Sequence, residues 1–153
     1  MRQSLNIELL VITIFVATFG FTAFQRNFVW KDDFVLWTDV VKKSPYKARG
    51  YNEIGMYFYE LRKPDKAIPY FKKSIYCEPE YAIAHNNLGL CFLAKGLIDL
   101  AIYEFRHAIK DRPLNGMYHV NLGIAYLKKG WHELANREIM TGKDLRRKYP
   151  GKQ

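Results

Sequence analysis

Four histidines, two cysteines and a scatter of carboxylates are the residues of this chain with the most chemistry to offer. His85 and His119 recur at equivalent points of two similar stretches, A-H-N-N-L-G and Y-H-V-N-L-G. A metal held by such a pair needs a third ligand at a matching spacing, and neither His107 nor His132 nor any nearby carboxylate supplies one. Cys77 and Cys91 form no C-x-x-C and no metal-type spacing, so both read as buried, inert thiols on helices. Glu53, Glu60 and Asp65 read as solvated helix faces. No nucleophile elbow, glycine-rich phosphate loop or H-E-x-x-H is present in the sequence. These residues predict no catalysis, no cofactor and no metal.

The elements that must position them repeat. Leu88-Gly89 followed by Phe92 returns as Ile54-Gly55 and Phe58 one period earlier, and as Leu122-Gly123 and Tyr126 one period later. The same shift maps Ala101 to Ala67 and Ala135, Phe105 to Phe71 and Ile139, and Pro113 to Pro79. A fixed period of this length, without insertion, marks a repeat architecture. Positions i, i+1 and i+4 in the first helix of each unit face inward together. The glycines lower helix propensity, which predicts close approach of a neighbouring helix there. The prolines end the second helix and force the turn into the next unit. One unit cannot bury its apolar face alone, so the units must stack. The pattern predicts helices over 47–60, 64–77, 81–94, 98–110, 115–128 and 131–147.

These motifs resemble those of the tetratricopeptide-repeat family, over residues 48 to 147. The resemblance implies an all-α solenoid of helix-turn-helix units with repeats at 48–81, 82–115 and 116–153, the last including a basic tail. His85 and His119 stand where that family usually carries an aromatic, as Tyr51 does here. In the third unit Gly142 takes the second small position and Arg147 stands where the proline would be, as expected of a terminal unit.

Residues 9–24 carry no charge and, with Leu5 and Ile7, approach the ~20 residues that cross a bilayer. Phe28 and Trp30 suit its interface. The run is long for a signal peptide, and no small-x-small site follows it. The expectation is an uncleaved transmembrane anchor over 1–27, in contact with lipid through residues 5–24. Trp37, Val40 and Pro45 stand one period before Phe71, Ser74 and Pro79. Residues 28–47 therefore read as a juxtamembrane half repeat, its helix opened by Asp32 and Asp33. The segment R-N-x-V-W-x-D-x-x-x-L-W-x-D, Arg26 onward, also resembles the junction before the repeats of transmembrane-and-tetratricopeptide glycosyltransferases. The many membrane helices and acidic loop motif that carry catalysis there are missing, so only a shared module is implied.

The net charge of +9 is uneven: residues 116–153 carry +5, and each of the segments 1–29, 30–47, 48–81 and 82–115 carries +1. Lys143, Arg146, Arg147, Lys148 and Lys152 gather toward the end of the last helix, which reads as a solvated helix end that the dipole favours, the alternative being contact with an anionic lipid surface or an acidic partner. No basic stripe interleaved with aromatics follows one face, so nucleic acid is not an expected partner.

In tetratricopeptide solenoids the first helices line a concave groove. The resemblance places Asn52, Met56 and Tyr59, then Ile83, Asn86, Leu90 and Leu93, then Met117, Val120, Ile124 and Leu127 there. Most are apolar; either tight superhelical curvature or another part of the chain buries such a strip, or it is a groove for an apolar helix or extended segment of a partner, which is the expectation. The family's cationic clamp for a peptide carboxylate is not matched: Asn87 fits, whereas Asn52, Met56, Met117 and Asn121 do not. The reading is a single-pass membrane scaffold that docks other, membrane-associated protein subunits, as an accessory subunit of a membrane complex. The alternative is a detached module of a polytopic glycosyltransferase. The flanking cations favour a cytoplasmic solenoid and the glycosyltransferase-like junction the extracytoplasmic (periplasmic) side; the latter is the expectation.

Overall fold

The computed structural model describes residues 33–151; the expected membrane span at 5–24 lies outside them. The chain divides into two compact units, 1–36 and 37–153, and the second carries the architecture below. The described residues form seven helices and no strand: α1 (Asp33–Lys43), α2 (Ala48–Glu60), α3 (Pro64–Cys77), α4 (Ala82–Ala94), α5 (Ile98–Asp111), α6 (Gly116–Lys129) and α7 (His132–Lys148). Each of the six helices in the repeats starts and ends within one residue of its expected bounds. None of the helices among the described residues is long and apolar enough to cross a membrane.

Helices pair as α2/α3, α4/α5 and α6/α7, and each pair stacks on the next. The glycines explain the pairing. A Cβ on Gly55 would lie 2.6 Å from the Phe71 ring, one on Gly89 2.7 Å from Phe105, and one on Gly123 2.6 Å from Ile139. No side chain fits at those distances, so glycine alone lets the partner's large residue lie flat against the helix backbone. A second crossing sits nearer the start of each pair. The Ser74 hydroxyl donates to the Ala48 carbonyl at 2.8 Å, Ala82 and Ala108 share a buried cluster, and Gly116 faces Gly142. A Cβ on either of the last two would run into the other's carbonyl oxygen. The core is continuous through the stack, from Ala67 and Phe71 through Leu88, Cys91 and Phe105 to Leu122, Ala125 and Ala135. At the other end, residues 37–43 of α1 lie on α2, where a Cβ on Gly50 would meet the Val41 side chain at 2.6 Å. The Arg49 guanidinium sits 5.4 Å above the Trp37 ring.

The turns inside the pairs repeat as well. Gly96 and Gly130 adopt φ of 75° and 83°, and Arg62, the equivalent of Gly96 one repeat earlier, adopts φ of 58°. That left-handed conformation costs a side-chain-bearing residue about 1–2 kcal/mol, whereas glycine enters it freely. Ion pairs link successive units: Lys95 reaches Asp65, and Lys129 reaches both carboxylate oxygens of Asp99 at 2.5 and 2.7 Å. Exposed pairs of this kind contribute little.

Two substitutions test this packing. Gly89→Leu should destabilise the stack by about 1–3 kcal/mol or more, because the Phe105 ring fills the space the new side chain needs; an unchanged thermal midpoint would refute the contact. Arg62→Gly should stabilise it by up to about 1 kcal/mol, because relief of φ strain exceeds the added freedom of the unfolded chain. A lowered midpoint would show that Arg62 makes a contribution its exposed position does not suggest.

Candidate partner-binding groove

The first helices α2, α4 and α6 present the eleven expected groove residues, which fall into three groups. Met117, Ile124 and Leu127 are 47%, 38% and 42% exposed and form one row along α6. Met56, Tyr59, Leu90 and Leu93 are half-buried against the core cluster, and Ile83 is half-buried. Asn52 and Asn86 are buried, at 2% and 7% exposure. Val120 is half-buried and turns toward α7, where its Cγ2 would lie 2.7 Å from a Cβ on Gly142. The apolar surface therefore opens toward the third repeat and rests on the core in the first two. Asn52 and Asn86 thus face the stack, and Val120, their equivalent in the third repeat, packs beside Gly142.

The two buried asparagines belong to a ladder that the repeat pattern did not reveal. Asn121 Nδ2 donates to Asn86 Oδ1 at 2.8 Å. Asn86 Nδ2 donates to Asn87 Oδ1 at 3.3 Å, and Asn87 Nδ2 donates to Asn52 Oδ1 at 3.0 Å. Four amides thus tie α2, α4 and α6 together beside the apolar row. The signal was a pair of Asn–Asn separations one step longer than the repeat period, Asn52 to Asn87 and Asn86 to Asn121. At the start of α6, Asn115 Oδ1 accepts from the Met117 amide at 3.0 Å and fixes the end of the exposed row.

The histidines are structural joints. His85 Nδ1 faces Glu104 Oε2 at 2.7 Å and its Nε2 faces the Pro79 carbonyl at 2.9 Å. His119 repeats this with Glu138 at 2.7 Å and the Pro113 carbonyl at 3.0 Å. Both rings use both nitrogens within the chain. Burial by itself pushes the His85 pKa down, but the hydrogen bonds to Glu104 and Pro79 and the negative charges of Glu104 and Asp111 outweigh it, and the net shift is upward. Among the described residues no group of three His, Cys, Asp or Glu side chains is placed to hold a metal ion. Cys91 is fully buried, and burial pushes its thiol up to about 12. Cys77, expected to be buried, is half-exposed and donates through Sγ to the Pro45 carbonyl at 3.7 Å, because it sits at the end of α3 beside the α1–α2 turn.

The ladder makes a quantitative expectation. Asn87→Leu strips a donor from Asn52 and an acceptor from Asn86, and should lower stability by about 1–3 kcal/mol. Adding Asn52→Leu should restore part of the loss, because both ends of that bond are then apolar. Additive losses in denaturant titrations would show that the Asn52–Asn87 bond contributes nothing.

Comparison with known proteins places this geometry. Residues 52–112 match the family model "Tetratricopeptide repeat". No curated protein sequence matches the chain significantly. Among solved structures, a crystal structure of MamA aligns with a TM-score of 0.68 at 23% identity, over 74% of this chain and 67% of that one; a second MamA structure is covered over 62% of its length. YrrB, a TPR protein with an unusual peptide-binding site, aligns at 0.67 and 17% identity over 84% of this chain and 66% of that one. The second TPR of Spaghetti (RPAP3) bound to the HSP90 peptide SRMEEVD aligns at 0.63 and 19% identity, over 65% of this chain and 92% of that one. The chain carries tetratricopeptide repeats in sequence over 52–112, and its fold is that of a tetratricopeptide-repeat solenoid.

Proposed function

We propose that this protein is a membrane-anchored scaffold whose concave groove docks an apolar segment of a partner protein, as an accessory subunit of a membrane complex. The observation that carries the docking is the exposed row Met117, Ile124 and Leu127 on α6, continuous in register with Leu90 and Leu93 on α4. A hydrophobic row with so few charges recognises an apolar helix face or extended segment by burial. Peptide binding by the related solenoids is in keeping with this: one solved neighbour holds an HSP90 peptide and another has an unusual peptide-binding site. The clamp for a terminal carboxylate lacks its cations here, since Asn52, Met117 and Asn121 occupy their positions. The anchor rests on the uncharged run at 9–24, and the extracytoplasmic side for the repeats rests on the junction at 26–45.

Two experiments test this reading. Ile124→Glu with Leu127→Glu should leave the thermal midpoint nearly unchanged, since exposed substitutions cost within ~0.5 kcal/mol. It should abolish recovery of the partner found by mass spectrometry after purification in detergent, because a charge would be buried without a counter-ion. A folded double variant that keeps every partner refutes the groove. The anchor predicts that the chain stays in the membrane fraction through carbonate extraction; recovery of a soluble form starting after residue 20 would replace it with a cleaved signal.

A further inference from the structure

The turn between the first two repeats is closed by an imidazole facing two acceptors. Neither the Glu104 carboxylate nor the Pro79 carbonyl has a proton to give, and they lie 2.7 and 2.9 Å from the two nitrogens of His85. A neutral imidazole carries one N–H, so it can satisfy one of these oxygens and must oppose the other lone pair to lone pair. The imidazolium satisfies both. The three groups come from three places: Pro79 from the turn after α3, His85 from α4, and Glu104 from α5. The ring is buried, so water does not substitute for a lost bond.

The surroundings set the sign. From α5, Glu104 and Asp111 bring negative charge toward the ring, and His107 stacks on it at 5.1 Å between ring centres. Tyr103 lies against His107, with 4.5 Å between ring centres. The carboxylates favour the cation, and desolvation opposes it without prevailing. The other two turns differ. His119 repeats both contacts, but Thr141 and Leu145 stand where His107 and Asp111 stand around His85. The first turn has Tyr51 and Tyr70 in place of the His and Glu.

We infer that Pro79, His85 and Glu104 form a proton-operated clasp that sets how the second repeat sits on the first, and with it the groove wall formed by Met56, Tyr59, Leu90 and Leu93. The regulatory consequence rests on the groove reading; the clasp does not. A group with a raised folded pKa contributes its full stabilisation below the unfolded value of about 6.5 and loses it as pH rises through the folded value. On deprotonation the remaining N–H stays with the carboxylate, the stronger acceptor, and the Pro79 carbonyl is released. The clasp is closed in mild acid and opens toward alkaline pH.

Hydrogen–deuterium exchange of the full chain in detergent micelles, at about pH 6 and about pH 8.5 with correction for intrinsic exchange, reads the clasp directly. The amides of Tyr81 and Ala82, bonded to Glu78 and Glu80 within the turn, should exchange several-fold faster at the higher pH. Glu104→Gln keeps the shape and removes the charge, and should abolish that difference. Equal protection at both pH values in the natural chain overturns the clasp even if the variant does not fold, and so does an undiminished pH effect in a folded Glu104→Gln. Recovery of the detergent-purified partner should fall over the same pH range. A turn that loosens while partner recovery stays constant overturns the regulatory link alone. The groove reading then stands or falls separately on Ile124→Glu/Leu127→Glu.

Discussion

Contact between a helix backbone and a large side chain of its partner, made possible by Gly55, Gly89 and Gly123, is the constraint on which the structure depends. With Phe71, Phe105 or Ile139 seated against the glycine, the two helices of a unit lie so close that their other facing positions must be small. Ala48 with Ser74, Ala82 with Ala108 and Gly116 with Gly142 meet that demand. The same proximity brings His85 within bonding distance of Glu104 and His119 within bonding distance of Glu138, side chains from opposite helices of one unit. A wider helix pair would leave those buried polar groups without partners, at a penalty comparable to the packing itself.

Between units the stack uses polar devices in parallel with its apolar core. The asparagine ladder, the imidazole joints and the Lys–Asp bridges each recur near the repeat period and each connects neighbouring units. Apolar contact alone would tolerate sliding of one unit on the next, because Leu and Ile surfaces are adaptable. Buried amides that must find each other do not tolerate it, and their satisfaction selects one register. No buried side-chain nitrogen or oxygen among the described residues lacks a partner, so this selectivity carries no stranded polar group.

The third unit differs from the first two on two of its sides. Ile68 and Ile102 make the stacking surface of the first two units, and Asn136 takes that place in the third. Likewise Lys143 replaces Ile75 and Ile109. Ile102 is buried, whereas Asn136 and Lys143 are exposed. The positions of α7 equivalent to those stacking isoleucines are thus polar and exposed. The inner face of α6 shows the opposite trend, with Met117, Ile124 and Leu127 left open.

Much of this was legible in the sequence because it is local or strictly periodic. The six repeat helices and the close approach of a neighbouring helix at Gly55, Gly89 and Gly123 follow from spacing alone, since helix geometry converts each spacing into a face. What the tertiary structure decided lies off the repeat period. Neighbouring units are displaced along one another, so Asn87 meets Asn52 and Asn121 meets Asn86, one position beyond the periodic equivalent. That displacement turned Asn52 and Asn86 inward and left Leu90 and Leu93 on the core. The joint of His85 with the Pro79 carbonyl and Glu104 keeps the period, recurring at His119, Pro113 and Glu138, but it joins three separate elements that only the packing brings together. A sequence states which residues lie on a helix face; the twist between units, a sum of many side-chain contacts, settles which of them meet.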